Sequence, residues 1–416
     1  MTDHNPQSFI PGAMPDEKKG KILYIETGMG FGGSAISLKQ IVKNLRNYQP
    51  VVVFYAASGQ YFSDHFQGID TRFFDLRFTY KQKDTLRDFI QKYTKSTLIT
   101  KLSLKFFSYF SYFYDKVTVY KLCQIIKDEN IALMHINNGI DPIAVNAARR
   151  CGIPCIAHSR GHEQVPPKTK NINYIVKLIA PTQKIAHHDH NHIGVPSGKI
   201  TVIHNSIDLN SYSNKNCRSG LRDNYGIEQK DVVIGMFARI IPMKGQLVLV
   251  KAVCQLRNMG YPIKCIFVGD ASDYGESYLK EIRSYINEKG QGDAFCFAGY
   301  QSDTAKYYAA VDIVVHPSID EEAFGRIIIE AWASGRPIVA SDIGASLELI
   351  RHEDTGLIVE QNNPSELAKA LERLITAPDF AKKLAEAGSR QALNYGNGPL
   401  ISAIEAIYDE TIGRQN

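Results

Sequence analysis

The chain has 416 residues, of which 44% are hydrophobic and 22% charged, with a formal net charge of +5 and seven cysteines. That length suits two domains of ~200 residues each, and the ordinary composition excludes a chain that is disordered beyond its ends. The mild positive excess is weak evidence for an anionic partner, so no nucleic acid is expected; an odd cysteine count without CxxC spacing speaks against a disulfide framework and fits a reducing cytoplasm.

Residues 1–20 are polar and lack the apolar stretch of a secretory signal, so they read as a disordered tail. From residue 21, short apolar runs alternate with helical patterns. KILYIET (21–27), PVVVFYA (50–56), IALMHIN (131–137), IPCIAHS (153–159), KLIAPT (177–182) and ITVIHN (200–205) read as strands of a first Rossmann-like domain, 21–205. Residues 206–230 are polar and hold no apolar run, which suits a linker or hinge. A second domain, 231–395, follows with DVVIGMFA (231–238), PIKCIFVG (262–269), DAFCFAG (293–299), DIVVHPS (312–318), RPIVAS (336–341) and TGLIVE (355–360). The helical stretch within 396–416 is expected to cross back onto the first domain. No run of ~18 apolar residues is present to span a bilayer. Strands separated by helices build parallel α/β sheets, which bind ligands beyond the carboxyl ends of their strands. Two such sheets facing each other create a cleft, and the informative residues should follow the strands.

After the first strand, Gly28, Gly30 and Gly33 match GxGxxG, but the second strand ends without the acid that would hold a dinucleotide ribose. Two readings remain for Gly32, Gly33 and their neighbours: backbone amides approaching a phosphate or sugar, or a tight turn needed only for geometry. Arg239 ends one strand and Lys244-Gly245 opens the next helix; they are either a clamp for a diphosphate or two solvated cations. Glu322 precedes a helix read over Arg326–Ser334 and opened by Phe324-Gly325, and Glu330 falls in its second turn. An acid before the helix can hold sugar hydroxyls, one inside it can grip a ribose diol, and the helix N-terminus favours phosphates. Glu330 stands amid Ile327-Ile328-Ile329 and Ala331-Trp332-Ala333, where a carboxylate is costly without a partner.

Glu322-x7-Glu330, Arg239-x4-Lys244-Gly245 and the run HPS…EEAFGR…EAWASGRPIVAS resemble the retaining glycosyltransferases of family 4, which have the GT-B fold. The likeness covers most of 21–375 and is strongest over 231–360. It implies a GT-B architecture in which the first domain takes the acceptor and the second the donor. It implies a retaining hexosyltransferase that uses a UDP- or GDP-sugar and no metal or other cofactor. The acceptor would be a saccharide, free or lipid-linked, in cell-surface polysaccharide, lipopolysaccharide or glycolipid synthesis. By position, Arg239 and Lys244, with Gly32 and Gly33, resemble the donor-diphosphate site. Glu322, Ala323, Phe324 and Gly325 resemble the donor-sugar site, and Glu330 the ribose ligand. His158 resembles the first domain's active-site histidine and joins Glu322 as a catalytic candidate. Tyr300 would flank the nucleobase. The Gly344-Ala345-Ser346-x-Glu348 loop is similar to the family's donor-sugar loop, with Ile343 where members often have a glycine. Arg160 and His162 are nearby polar candidates for which a surface reading is favoured. A nucleotide-sugar epimerase, a phosphorylase of like architecture, a Rossmann oxidoreductase and a non-catalytic sugar-nucleotide binder are the rivals.

Two segments stand apart. Residues 187–192 (His-His-Asp-His-Asn-His) have metal-ligand density, yet a polar loop or helix end is the favoured reading. Residues 89–121 are rich in Lys, Phe and Tyr. They read equally as a peripheral contact with an anionic membrane, on its cytoplasmic face, or as an amphipathic helix with its aromatics packed inward.

Overall fold

Short runs rich in Val, Ile and Leu form strands buried on both faces, as parallel strands covered by helices must be. A computed structural model describes residues 18–28, 33–55, 66–74, 97–162, 168–212, 218–271 and 275–414. Gly32, residues 1–17 of the expected tail and residues 89–96 of the aromatic segment lie outside the described residues, as do the side chains of 97–111.

The first sheet holds β1 (Lys21–Glu26), β2 (Gln49–Phe54), β3 (Asp70–Phe73), β4 (Ile131–Ile136), β5 (Cys155–His158), β6 (Lys177–Ala180) and β7 (Ile200–Val202), in the order β3-β2-β1-β4-β5-β6-β7. The second holds β8 (Val232–Phe237), β9 (Ile263–Val268), β10 (Phe295–Phe297), β11 (Ile313–His316), β12 (Ile338–Ser341) and β13 (Leu357–Val359), in the order β10-β9-β8-β11-β12-β13. Every pairing is parallel. These are two doubly wound, Rossmann-like domains. The winding direction reverses between β1 and β4 in one sheet and between β8 and β11 in the other, so each has a switch-point crevice at its strands' carboxyl ends.

No apolar run marks β3 in the sequence, so it is the one described strand that periodicity does not predict. Its residues, Asp-Thr-Arg-Phe, are mostly polar because β3 is an edge strand, paired with β2 alone among the described residues. Ion pairs replace apolar burial there: Arg72 bridges Asp70 at 3.0 Å and also reaches Glu129, which takes Lys21 at 2.8 Å.

The chain crosses between the domains at two adjacent points. Ile207 bridges Gly396, and its amide donates to the Tyr395 carbonyl at 3.0 Å. Ser206 Oγ donates to Asn397 at 2.8 Å, and Asn397 in turn donates to Gln40 at 3.1 Å. The described part of 206–230 beyond this crossing packs on the second domain: Arg222 pairs with Asp312 at 2.6 Å, and Ile227 joins the core around Trp332.

After the second crossing, the helix Asn397–Gly413 covers the first sheet. Leu400, Ile401, Ile404 and Tyr408 pack with Ile22, Tyr24, Leu38 and Ile41. Polar contacts fix its rotation. Glu405, 4% exposed, accepts the backbone amides of Arg46 and Asn47 at 2.8 Å each, and the Asn47 side chain at 2.9 Å. The Tyr408 hydroxyl lies between the Tyr24 hydroxyl (2.7 Å) and His135 Nδ1 (2.6 Å). Asp409 accepts from Lys19 (2.9 Å) and Tyr48 (2.6 Å).

Two outcomes follow. Glu405→Leu leaves two part-buried amides without their acceptor, and chemical denaturation is expected to show a loss of about 2 kcal/mol; a change under about 0.5 kcal/mol, the ordinary surface scatter, contradicts the latch. The second concerns acid. Burial, with Arg160 adding to it, pushes His135 from 6.5 down to about 3. The unfolded chain therefore takes up a proton below pH 6.5 that the folded ring refuses until about pH 3. Stability should fall across that window by ~1.4 kcal/mol per pH unit for this group alone. Urea midpoints measured against pH should show a shallower acid limb in His135→Gln.

Candidate active site at the two switch points

In the second domain, the loop after β8 turns through the short Pro242–Lys244 helix into Gly245, whose φ is 76°. A Cβ on Gly245 would lie 1.9 Å from the Pro317 carbonyl oxygen, so only glycine lets this turn rest on the chain leaving β11. The Ile319 amide donates to the Met243 carbonyl at 2.9 Å and locks the contact. That approach places Lys244 Nζ against Glu322 Oε1 in an ion pair. Ser318 Oγ donates to the same oxygen at 2.7 Å, and His316 Nε2 lies 3.5 Å from Oε2. Gly344, with φ 59°, brings a third loop against the Glu322 backbone; a Cβ there would lie 2.9 Å from the Glu322 carbonyl. Burial pushes the Glu322 carboxyl up, but His316 and Lys244 outweigh it and hold the group well below the usual carboxylate range. Glu322 is thus an anion with 15% of its side chain exposed.

The helix Arg326–Ala333 starts from Gly325, in the left-handed region at φ 69°. Its first amides have no partner within the helix. Glu330 finds the partners that its apolar neighbours demand: the Tyr308 hydroxyl donates to Oε2 at 2.9 Å, and Arg326 Nε reaches Oε1 at 3.4 Å. Arg326 Nη1 is buried with no partner among the described residues. Phe324 is 3% exposed and packs in the core, so it offers a ligand its backbone alone. Ala323 lies beside it and accepts, at its carbonyl, the Thr182 hydroxyl of the first domain at 3.2 Å.

Arg239 is brought to neither acid. It is exposed at the end of β8, and its side chain has no partner among the described residues. Tyr300, 51% exposed, stands on the adjoining loop, where the Gly269 amide donates to the Gly299 carbonyl at 2.8 Å and Gly269 lies flat against Ala238. Its own amide donates to Asp270 at 2.8 Å.

In the first domain, Glu26 ends β1 and is fully buried. It accepts the Gly28 amide at 2.8 Å and the Asn137 side chain, so it ties the start of the glycine loop to the end of β4. Burial pushes its carboxyl up against these bonds and the charge of Arg160. Gly33 is exposed and opens the Gly33–Asn44 helix. His158 is also fully buried. Burial, then Arg160, then His135 hold it well below 6.5, so the ring is neutral. Arg160 meets its Nδ1 at 3.2 Å, which assigns the proton to Nε2, an atom without a partner among the described residues.

The surface reading of Arg160 is overturned. Its guanidinium donates to Asn137 Oδ1 (2.6 Å), Asn205 Oδ1 (2.6 Å) and His158, tying together the ends of β4 and β5 and the domain crossing. Burial lowers its pKa to about 9; Glu26 opposes the shift, and Arg326 of the other domain adds to it. His162 is likewise engaged, at 3.1 Å from Glu321 across the cleft, where Lys184 also pairs. Glu348 accepts the Gln183 amide at 2.9 Å. Sequence reasoning missed Glu26, Asn137, His316 and Ser318. Each stands at or just past a strand end, in KILYIE, IALMHIN or DIVVHPS, and that placement was the available signal.

The 187–192 histidines fall on the helix Gln183–Asn191 and its cap. His188 stacks on His192 at 4.9 Å and meets His162 edge-on at 4.8 Å, while His190 contacts the Val195 carbonyl at 2.9 Å. Among the described residues, no three His, Cys, Asp or Glu are grouped to hold a metal ion. The aromatic segment divides. Within it Tyr114 and Val119 pack into the first domain's core, as do Leu122, Ile125 and Ile126 beyond its end, while Tyr112 and Phe113 are 57% and 59% exposed.

Residues 31–211 match the family model for Glycosyltransferase Family 4, and residues 218–391 that for Glycosyl transferases group 1. A D-inositol 3-phosphate glycosyltransferase of Rhodococcus erythropolis is 31% identical over 223 residues, 53% of this chain and 50% of that one. The chain therefore spans about half the length of the curated relatives it matches. Among solved structures, Alr3699/HepE of Anabaena, crystallised with UDP, is 23% identical with a TM-score of 0.74, over 94% of this chain and 100% of that one. A glycosyltransferase of Rickettsia africae is 20% identical with a TM-score of 0.79, over 95% and 99%. These two likenesses show the fold. With two parallel Rossmann-like sheets and two family models running in succession along it, the chain belongs to the family 4 glycosyltransferases, with the GT-B fold.

Proposed function

We propose that this protein transfers a hexosyl group, with retention, from a UDP- or GDP-sugar to a saccharide acceptor, free or lipid-linked, in cell-surface polysaccharide, lipopolysaccharide or glycolipid synthesis. The observation that carries this reading is the Lys244–Glu322 pair at the β8/β11 switch point, beside the opening of the Arg326–Ala333 helix. A departing diphosphate needs positive charge where negative charge develops. Lys244, the helix N-terminus and Arg239, which has no side-chain partner among the described residues, supply it without a metal, together with the Gly33 backbone from the first domain. Glu322, kept ionised, accepts hydroxyls of the transferred sugar beside the backbone of Ala323, Phe324 and Gly325 and offsets positive charge at its anomeric carbon. With Lys244, Ser318 and His316 holding it, Glu322 is an orienting anion rather than a nucleophile.

Glu330 takes the ribose diol. Its 3.4 Å contact with Arg326 is a long hydrogen bond that a ribose hydroxyl can replace. Tyr300 lies beside the base. His158 contributes from the first domain as a neutral donor held by Arg160. Closure over the donor excludes water and protects it from hydrolysis. No described helix is long and apolar enough to cross a membrane. The exposed Tyr112 and Phe113, with Lys116 next to them, support a peripheral position on an anionic bilayer, on its cytoplasmic face.

Glu322→Gln and Lys244→Ala should each lower kcat/KM by about 100-fold or more, with circular dichroism unchanged. Release of nucleoside diphosphate dependent on acceptor is the measurement, and near-normal turnover in both variants would sink the proposal. Glu330→Gln should mainly weaken donor binding, by about 10-fold. A thermal-shift panel of UDP- and GDP-sugars reads this directly, because a ligand at 100 times its Kd stabilises the fold by about 2.7 kcal/mol. The anomeric configuration of the product, by NMR, tests retention.

A further inference from the structure

A cavity of about 390 Å3 opens on the outer face of the first domain, among the helices Thr97–Asp128, Pro142–Cys151 and Thr169–Tyr174. Its size falls in the range of small-molecule sites, roughly 300–1,000 Å3. Lys116, Arg149, Arg150, Lys168 and Lys170 line it. Among the described residues, none of these five cations is in an ion pair. Asp115 is the single acid in the lining, and burial pushes its carboxyl up. Such a concentration of unpaired positive charge in a concave site attracts and holds an anion.

The cavity wall also carries Asn171, 1% exposed, with both side-chain amide atoms lacking a hydrogen-bond partner among the described residues. A buried amide left unsatisfied at both ends is costly in a native fold and calls for an explanation. A ligand hydroxyl resolves it, because it donates to Oδ1 and accepts from Nδ2. Cations together with an unsatisfied amide match an anion that carries hydroxyls beside it. We propose that this cavity binds a phosphorylated polyol, with its phosphate on the arginine and lysine side chains and a neighbouring hydroxyl on Asn171. The site lies outside the cleft and needs no nucleotide, so it does not depend on the glycosyl-transfer reading.

The test is calorimetric titration of the full chain, without nucleotide, with glycerol 3-phosphate and with inorganic phosphate. Glycerol 3-phosphate is expected to bind at least ten-fold more tightly than inorganic phosphate, and to weaken as salt rises. Binding should fall at least ten-fold in Arg149→Ala/Lys168→Ala, whose positions are exposed and leave the fold intact. It should fall equally in Asn171→Leu, which removes two unsatisfied atoms at similar volume and so should keep or raise the melting temperature. An asparagine with a merely structural role would lower it. Vesicles of phosphatidylglycerol, against phosphatidylcholine, separate the sources: competition by the former alone assigns a lipid headgroup, and no competition assigns a soluble ester. Glycerol 3-phosphate binding no more tightly than inorganic phosphate, or binding unchanged in both variants, overturns the proposal.

Discussion

The carboxylate of Glu322 sits where water scarcely reaches it, and it stays charged because Lys244, His316 and Ser318 meet it there. Those partners come from two strand ends that the β8/β11 reversal sets side by side. They reach it only because Gly245 and Gly344 let backbone approach backbone more closely than any side chain permits. Sheet order, glycine placement and charge pairing are therefore one constraint. Altering any of them leaves an ion stranded in a poorly solvated place, which costs more than the pair contributes.

The loop that carries Glu322 is also the loop that touches the other domain. Glu321 takes His162 and Lys184, the Ala323 carbonyl takes Thr182, and Glu348 beyond Gly344 takes the Gln183 amide. Separation of the domains must break these contacts, which lie one residue from Glu322 or four from the glycine pressed against it. The domains contribute unlike chemistry. The first holds neutral, buried histidines around one guanidinium, and the second holds the paired charges. Arg160 and Arg326 repel each other across the gap, which adds to the lowering that burial imposes on Arg160.

Apolar runs were enough to place twelve of the thirteen strands among the described residues, because a strand buried on both faces must be apolar almost throughout. β3 escaped because an edge strand held by Arg72 and its carboxylates shows no such run. In the site, Lys244 and Glu322 were legible as separate motifs. Their direct pairing was not, since 78 residues separate them and only the sheet order makes them neighbours. Arg160 was misread for the same reason: Asn137, His158 and Asn205 become its partners by topology, and no local spacing announces that. Glu330 was the easier case, because a carboxylate amid isoleucines requires a partner, and Tyr308 and Arg326 provide it.

The returning helix has a consequence for how the protein is made. Tyr24 lies 384 residues before the tyrosine that completes its polar contact, an interval of on the order of 20–80 s at ~5–20 residues added per second. The β1–β4 sheet emerges from the ribosome early, yet its Ile22–Tyr24 face is covered only in part, by the Gly33–Asn44 helix, until residues near 400 appear. The second Rossmann unit, born later, has all its own core residues sooner. Maturation therefore runs against the direction of translation, and the nascent first half is the part that must be shielded from its neighbours while it waits.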